Sequence, residues 1–300
     1  MKKINLISRR LISQSTKSPI TGVSKIQPVD LAYASYESTN LGYGPPPLVI
    51  MHGLLGSKGN WNSLCKIIHK KTSPQRKVVA VDARNHGDSP HSPEHTYEHL
   101  TQDVRKLLQT LKIGKASLLG HSMGGRTMML FALTYPKLVD KLIVADISPV
   151  RTSPNLKTMP SLFDALSKVK LPVNVPISSA RVTADQQLLK VVNNKGMRSF
   201  LLTNLVQKGD GSFKWRMNLD ALMANFNEIA MFPEVLNSTF QGPVLFIGGT
   251  ASDFIRKSDH PQILKLFPNA EFYYIEGAGH WVHSEKPTEF LQLCLEFLNK

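Results

Sequence analysis

Gly120-His121-Ser122-Met123-Gly124 sets one serine between glycines two residues away on either side. The apolar run Ala116–Gly120 comes before it and the apolar-rich stretch Gly125–Thr134 comes after it. A G-x-S-x-G between a strand and a helix holds a hydroxyl out above the sheet, where it can serve as a nucleophile. A serine hydroxyl attacks poorly until a base removes its proton. His280, in Gly277-Ala278-Gly279-His280-Trp281, lies between the last strand-like run and the last helical one. A small-residue loop there can carry an imidazole over the same sheet edge. Acyl transfer also needs N–H donors aimed at a developing oxyanion. His52-Gly53-Leu54-Leu55-Gly56 directly follows the run Leu48–Met51, and the backbone N–H groups of Leu54 and Met123 are assigned to that role.

These residues need a scaffold that brings strand ends together. Leu48–Met51, Val78–Asp82, Ala116–Gly120, Leu142–Asp146, Val244–Ile247 and Glu271–Ile275 read as strands. Most are continuous apolar runs, the pattern of strands covered on both faces. Asp30–Tyr36 alternates more and reads as an antiparallel starting strand. Helical stretches around Trp61–His69, Thr101–Leu111, Gly125–Thr134, Gln262–Phe267 and Thr288–Leu298 separate them. Such alternation predicts an α/β fold, a mostly parallel sheet with helices on both faces. The alternation stops between about Ser148 and Gln241, where helical periodicity runs through Leu188–Leu205 and Leu219–Ile229. The expected organisation is therefore a core of residues 30–147 and 242–300 with a helical cap of residues 148–241.

The H-G, G-H-S-M-G-G and G-A-G-H-W segments, in this order, resemble those of the α/β-hydrolase superfamily. The segments from Val81 to His91 and from Ala145 to Val150 are similar, more narrowly, to the mitochondrial alpha/beta-hydrolase domain-containing protein 11 group. So are Leu202-Thr203-Asn204-Leu205 and the segment from Trp215 to Leu222, in the cap. The resemblance covers roughly residues 45–298 and implies an α/β-hydrolase fold and a matrix serine hydrolase acting on acyl, lipid-like esters. It also implies association with the 2-oxoglutarate dehydrogenase complex, and it implies no cofactor. An alcohol acyltransferase on the same triad, or a non-catalytic partner of that complex, would use the same scaffold.

The triad acid is less plainly marked. Many members of the superfamily carry it in the loop that here reads Gly248-Gly249-Thr250-Ala251-Ser252-Asp253. Ala251 and Ser252 cannot hold a charge, and Asp253 stands one or two residues late. Asp146 ends the preceding strand at the same sheet edge, 24 residues after Ser122, and keeps the chain order nucleophile, acid, base. Asp220 in the cap is a third option. Geometry favours Asp146 over Asp220 and Asp253.

Other readings fall to composition or context. His95-Thr96-Tyr97-Glu98-His99 matches H-x-x-E-H, but Pro90 and Pro93 make it the expected exposed first turn of a helix rather than a zinc site. The formal charge of +14 suggests nucleic acid, yet six of the 36 Lys and Arg fall within residues 1–29, which hold no acid. The remainder is spread thinly, without the aromatic–basic interleaving of single-strand binders. A basic, Ser-rich, acid-free start with Ile4, Ile7, Leu11 and Ile12 on one helical face reads as a mitochondrial targeting segment. No run approaches the ~18 apolar residues of a membrane-spanning helix. Two cysteines, Cys65 and Cys294, in apolar helical patterns exclude a disulfide framework.

Overall fold

The computed structural model describes residues 26–38, 44–235 and 238–300. Most of the targeting segment therefore lies outside the described residues. Its last residues do not: the Val29 N–H donates to Asp103, and the Gln27 carbonyl accepts from Arg84. The folded core thus reaches back at least to Gln27.

Strands β1 (Tyr33–Tyr36), β2 (Leu48–Met51), β3 (Val78–Val81), β4 (Ala116–His121) and β5 (Val139–Ala145) precede the cap. In the cap, β6 (Leu205–Gln207) and β7 (Phe213–Trp215) form a small antiparallel hairpin; β8 (Val244–Gly249) and β9 (Ala270–Ile275) follow it. Seven strands make one sheet in the order β1-β3-β2-β4-β5-β8-β9, parallel throughout except for β1. Every residue of β2, β3, β4 and β8 is buried, as continuous apolar runs require.

The helices are α1 (Asn62–Lys71), α2 (Tyr97–Thr110), α3 (Met123–Thr134), α4 (Met159–Ser167), α5 (Ile177–Leu188) and α6 (Lys195–Leu202). After them come α7 (Leu219–Ala224), α8 (Phe226–Ala230), α9 (His260–Leu266), α10 (Val282–Glu285) and α11 (Pro287–Asn299). The pleat divides the core in two. Val49 and Met51 of β2 face a cluster with residues of α2, α3 and α9, whereas Leu48 and Ile50 face one with residues of α1 and α11. α3 is buried at every residue from Met123 to Leu133, and its Arg126 donates to the Ala230 carbonyl in the cap.

The cap departs from the helical expectation at two places. The periodicity through Leu188–Leu205 is cut where Asn194 caps α6, its side chain accepting from the Met197 N–H. Beyond it, Gly211 adopts φ +78° and closes the β6–β7 turn, with Lys208 N–H bonded to the Ser212 carbonyl. Glycine supplies that left-handed backbone without strain, so the chain reverses here instead of continuing as a helix.

Candidate active site

Ser122 sits between β4 and α3 at φ 53°, ψ −117°, a sparsely populated conformation for a residue with a side chain. Its flanking glycines are steric necessities. A Cβ on Gly120 would lie 2.2 Å from the Gly124 carbonyl oxygen, and one on Gly124 would lie 2.3 Å from that of Met51. The Ser122 N–H donates to the Ala145 carbonyl (3.1 Å), which ties the turn to the end of β5.

One residue beyond that carbonyl stands Asp146, at φ 47° and fully buried. Its own N–H donates to Ile247 of β8 (2.8 Å), so the pairing of β5 with β8 fixes where the carboxylate points. Oδ1 accepts from the Gly249 N–H (3.0 Å), and Oδ2 accepts from the Ser252 hydroxyl and from His280 Nδ1 (2.7 Å). On the other side of the ring, His280 Nε2 accepts from the Ser122 hydroxyl (3.0 Å). The structure therefore joins Ser122, His280 and Asp146 in one hydrogen-bonded chain. The carboxylate fixes the proton on Nδ1 and leaves Nε2 free to act as a base.

Asp253 and Asp220 are elsewhere. Asp253 accepts from the Ser153 hydroxyl (2.6 Å) and the Asn155 amide (2.9 Å), bracing the start of the cap. Asp220 is exposed in the first turn of α7, where a carboxylate suits the helix dipole. Ser252, in the loop after β8, donates to the Asp146 carboxylate at the end of β5.

Sequence reading missed several residues that hold the base. Phe254 stacks on the His280 ring, with centroids 3.6 Å apart. His121 Nε2 donates to the His280 carbonyl (2.8 Å), and the Glu285 carboxylate accepts from the N–H groups of Gly279 and Trp281. The Phe254 and His121 contacts join separate segments, so spacing does not announce them; the Glu285 contacts are local, four and six residues apart in one turn.

Leu54 and Ser122 line a single cavity of about 630 Å³. Met123 is the first residue of α3, so its N–H has no acceptor within the helix. The walls are mainly apolar, with Leu156, Met159, Leu162, Val192 and Met197 from the cap facing Phe254 of the core. A nucleophile at the base of such a cavity suits a substrate with an apolar chain attached to its carbonyl.

The H-x-x-E-H segment also differs from its expectation. His95 precedes the Thr96 N-cap of α2 and is fully buried rather than exposed. Its Nδ1 accepts from the Asn85 amide (3.2 Å), leaving Nε2–H against Met123 Sδ (3.3 Å). His95 and His99 thus share no helical face, and among the described residues no cluster of three or more His, Cys, Asp or Glu could hold a metal ion. Arg84 and Asp82 brace the loop after β3: Arg84 pairs with buried Asp103 (2.7 Å), and Asp82 accepts from Lys58 and from the Asp88 N–H.

Burial pushes the His95 imidazole down to about 3, from an ordinary value of 6.5. Its stability contribution follows in sign. Below pH 6.5 the unfolded chain takes up a proton that the folded chain refuses, so stability is full above about 6.5 and is lost as pH falls toward 3. The loss is up to about 1.4 kcal/mol per pH unit for one such group. Urea midpoints measured from pH 7 to pH 4.5 should therefore fall less steeply in His95→Gln than in wild type. Equal slopes would refute the burial of a neutral imidazole here.

The family model described as alpha/beta hydrolase fold matches residues 46–287. A Mus musculus protein named sn-1-specific diacylglycerol lipase ABHD11 is 47% identical over 84% of this chain and 81% of its own length. Its Danio rerio counterpart of the same name is 42% identical over 96% of this chain and 88% of its own length. Among solved structures, a marine microorganism esterase superposes with TM-score 0.79 at 35% identity, covering 90% of this chain and 99% of that one.

Proposed function

This chain belongs to the alpha/beta-hydrolase fold family, and from that premise we propose a lipid-ester hydrolase that works through an acyl-enzyme on Ser122. It is an esterase/lipase-type enzyme, as its similarity to named lipases and esterases supports. The observation that carries the mechanism is the unbroken relay from Ser122 Oγ through His280 to buried Asp146, opening on an apolar cavity.

His280 Nε2 takes the Ser122 proton as Oγ attacks the ester carbonyl. Asp146 holds the imidazolium that results. The oxyanion is received by the N–H groups of Leu54 and Met123; in such sites, losing one donor typically costs about 2.7–4 kcal/mol in the transition state. His280 then protonates the leaving alcohol and activates the water that releases the acid.

The preferred substrate class is acyl esters with diacylglycerol-like bulk. Support comes from the cavity's apolar lining and the named activity of the relatives. On purified protein, a panel of acyl esters of increasing chain length should show kcat/KM rising from short to medium or long chains. A maximum at acetyl esters would sink the lipid reading. Adding an alcohol tests the second half-reaction: free acid as the main product supports a hydrolase, and transfer to the alcohol marks an acyltransferase.

The proposed location is the mitochondrial matrix, supported by the basic, acid-free start. Because Gln27 and Val29 are tied to Arg84 and Asp103, cleavage should fall upstream of Gln27. N-terminal sequencing of the native protein checks this, and intact Met1 recovered from cytosol would refute it. The same mitochondrial fraction tests the partner implied by the resemblance: immunoprecipitation should recover 2-oxoglutarate dehydrogenase complex subunits.

A further inference from the structure

A cap side chain hydrogen-bonds the oxyanion loop. Asn204 lies in the turn between α6 and β6, and its Nδ2 donates to the Leu55 carbonyl (2.8 Å), the residue next to Leu54. Asn204 is buried and fixed within the cap by its own backbone. Its N–H donates to Leu201 (3.0 Å), and its carbonyl accepts from Arg216 (2.8 Å).

Leu55 adopts φ 62°, a left-handed conformation that a branched side chain rarely takes and that persists only where the surroundings impose it. Two further side chains hold the same loop from the core. His52 donates Nδ1–H to the Gly53 carbonyl (2.7 Å) and accepts at Nε2 from the Ala83 N–H (3.1 Å). His86 donates Nδ1–H to the Arg84 carbonyl (2.9 Å) and accepts at Nε2 from the Leu55 N–H (3.1 Å). The peptide groups on both sides of Leu54 are therefore committed, and the Leu54 N–H is left between them.

The neighbouring residue Asn85 is the mirror of this arrangement. It too is left-handed, at φ 64°, and it too is gripped from the cap: the Asn218 N–H donates to its carbonyl (2.9 Å) and the Asn218 amide to its Oδ1 (3.1 Å). Asn204, Leu55, His86, Asn85 and Asn218 thus run from cap to core and back to cap.

We propose that Asn204 is a positioning residue for the oxyanion donor Leu54, so that seating of the cap and assembly of the oxyanion hole are one event. This rests on the serine-hydrolase reading above. The cap then contributes to transition-state stabilisation as well as to the walls of the cavity. A cap that lifts away would release the Leu55 carbonyl and leave Ser122, His280 and Asp146, all on the core, joined as before.

The test separates donor placement from general loosening. Asn204→Ala removes the bond; Asn204→Asp keeps the volume but has no N–H for the Leu55 carbonyl. Asn225→Ala is the control, because Asn225 makes another cap-to-core bond, to the Pro93 carbonyl (2.7 Å), away from the oxyanion loop. Active serines are counted by complete reaction with a fluorophosphonate, so that kcat refers to folded sites alone. Both Asn204 variants should lose about 10- to 100-fold in kcat per titrated serine, part of the ~10²–10³ that loss of a donor costs. KM should stay within about twofold. Affinity for a trifluoromethyl ketone, which forms an oxyanion on Ser122, should fall by the same factor as kcat/KM. Asn225→Ala should stay at the wild-type rate.

Wild-type turnover per titrated serine in both Asn204 variants overturns the proposal while leaving the hydrolase reading standing. An equal fall in Asn225→Ala also overturns it, since any loosened cap would then suffice. Failure of the wild type to take up fluorophosphonate would instead remove the reading beneath it.

Discussion

Ser122→Ala is expected to lower kcat by on the order of 10⁶, the scale seen when a serine nucleophile is removed from a triad that acts as a unit. The variant should fold, because the strained elbow belongs to the backbone and its close approaches are made at Gly120 and Gly124. His280 stays held by Asp146, Phe254 and the Glu285 carboxylate whether or not the hydroxyl is present. A fluorophosphonate should label wild type at Ser122 and leave the variant unlabelled. Equal labelling of both would place the nucleophile elsewhere, and labelling of neither would favour a binding protein on this scaffold.

The second large effect is at the acid. Asp146→Asn keeps the shape of the side chain, and its amide can donate to His280 Nδ1. The imidazole proton is then driven to Nε2, where it blocks acceptance of the Ser122 proton. In a studied triad that change costs about 10⁴ in kcat. Asp253→Asn and Asp220→Asn should stay within about tenfold of wild type. Asp253 braces Ser153 and Asn155, and Asp220 is exposed on α7. Unfolding midpoints must accompany the rates, because Asp146 also accepts from the Gly249 N–H. A folded Asp146→Asn within tenfold of wild type, beside a collapse in one of the others, would move the role to that residue.

The sequence by itself determined what depends on neighbours in the chain. Gly120, Ser122 and Gly124 mark the elbow in the sequence, and the Gly120 requirement is local: its Cβ would meet the Gly124 carbonyl four residues on. The buried strands were legible because strands covered on both faces read as near-continuous apolar runs, and β2 and β3 are apolar throughout. His280 could be singled out because its loop is short, small-residued and placed after the last strand. The cap hairpin was not legible: three-residue strands are too short to show a period, and the turn at Gly211 outweighed the helical pattern around it.

Tertiary structure alone decided the acid. Its place at a strand end favoured Asp146 among three aspartates, but chain position could not say which carboxylate reaches His280. Pairing of β5 with β8 placed Asp146 beside Ile247 and Gly249, and the β9–α10 loop lowered His280, 134 residues away, onto its carboxylate. The roles of His52, His86, His95 and Asn204 were decided in the same way. Each is a side chain that satisfies a buried peptide or polar group on another segment, or packs against one, as His95 does on Met123. Local sequence records which groups a residue can offer. Which partner each one meets is settled only when burial strips water away and leaves every buried polar group to find a partner within reach.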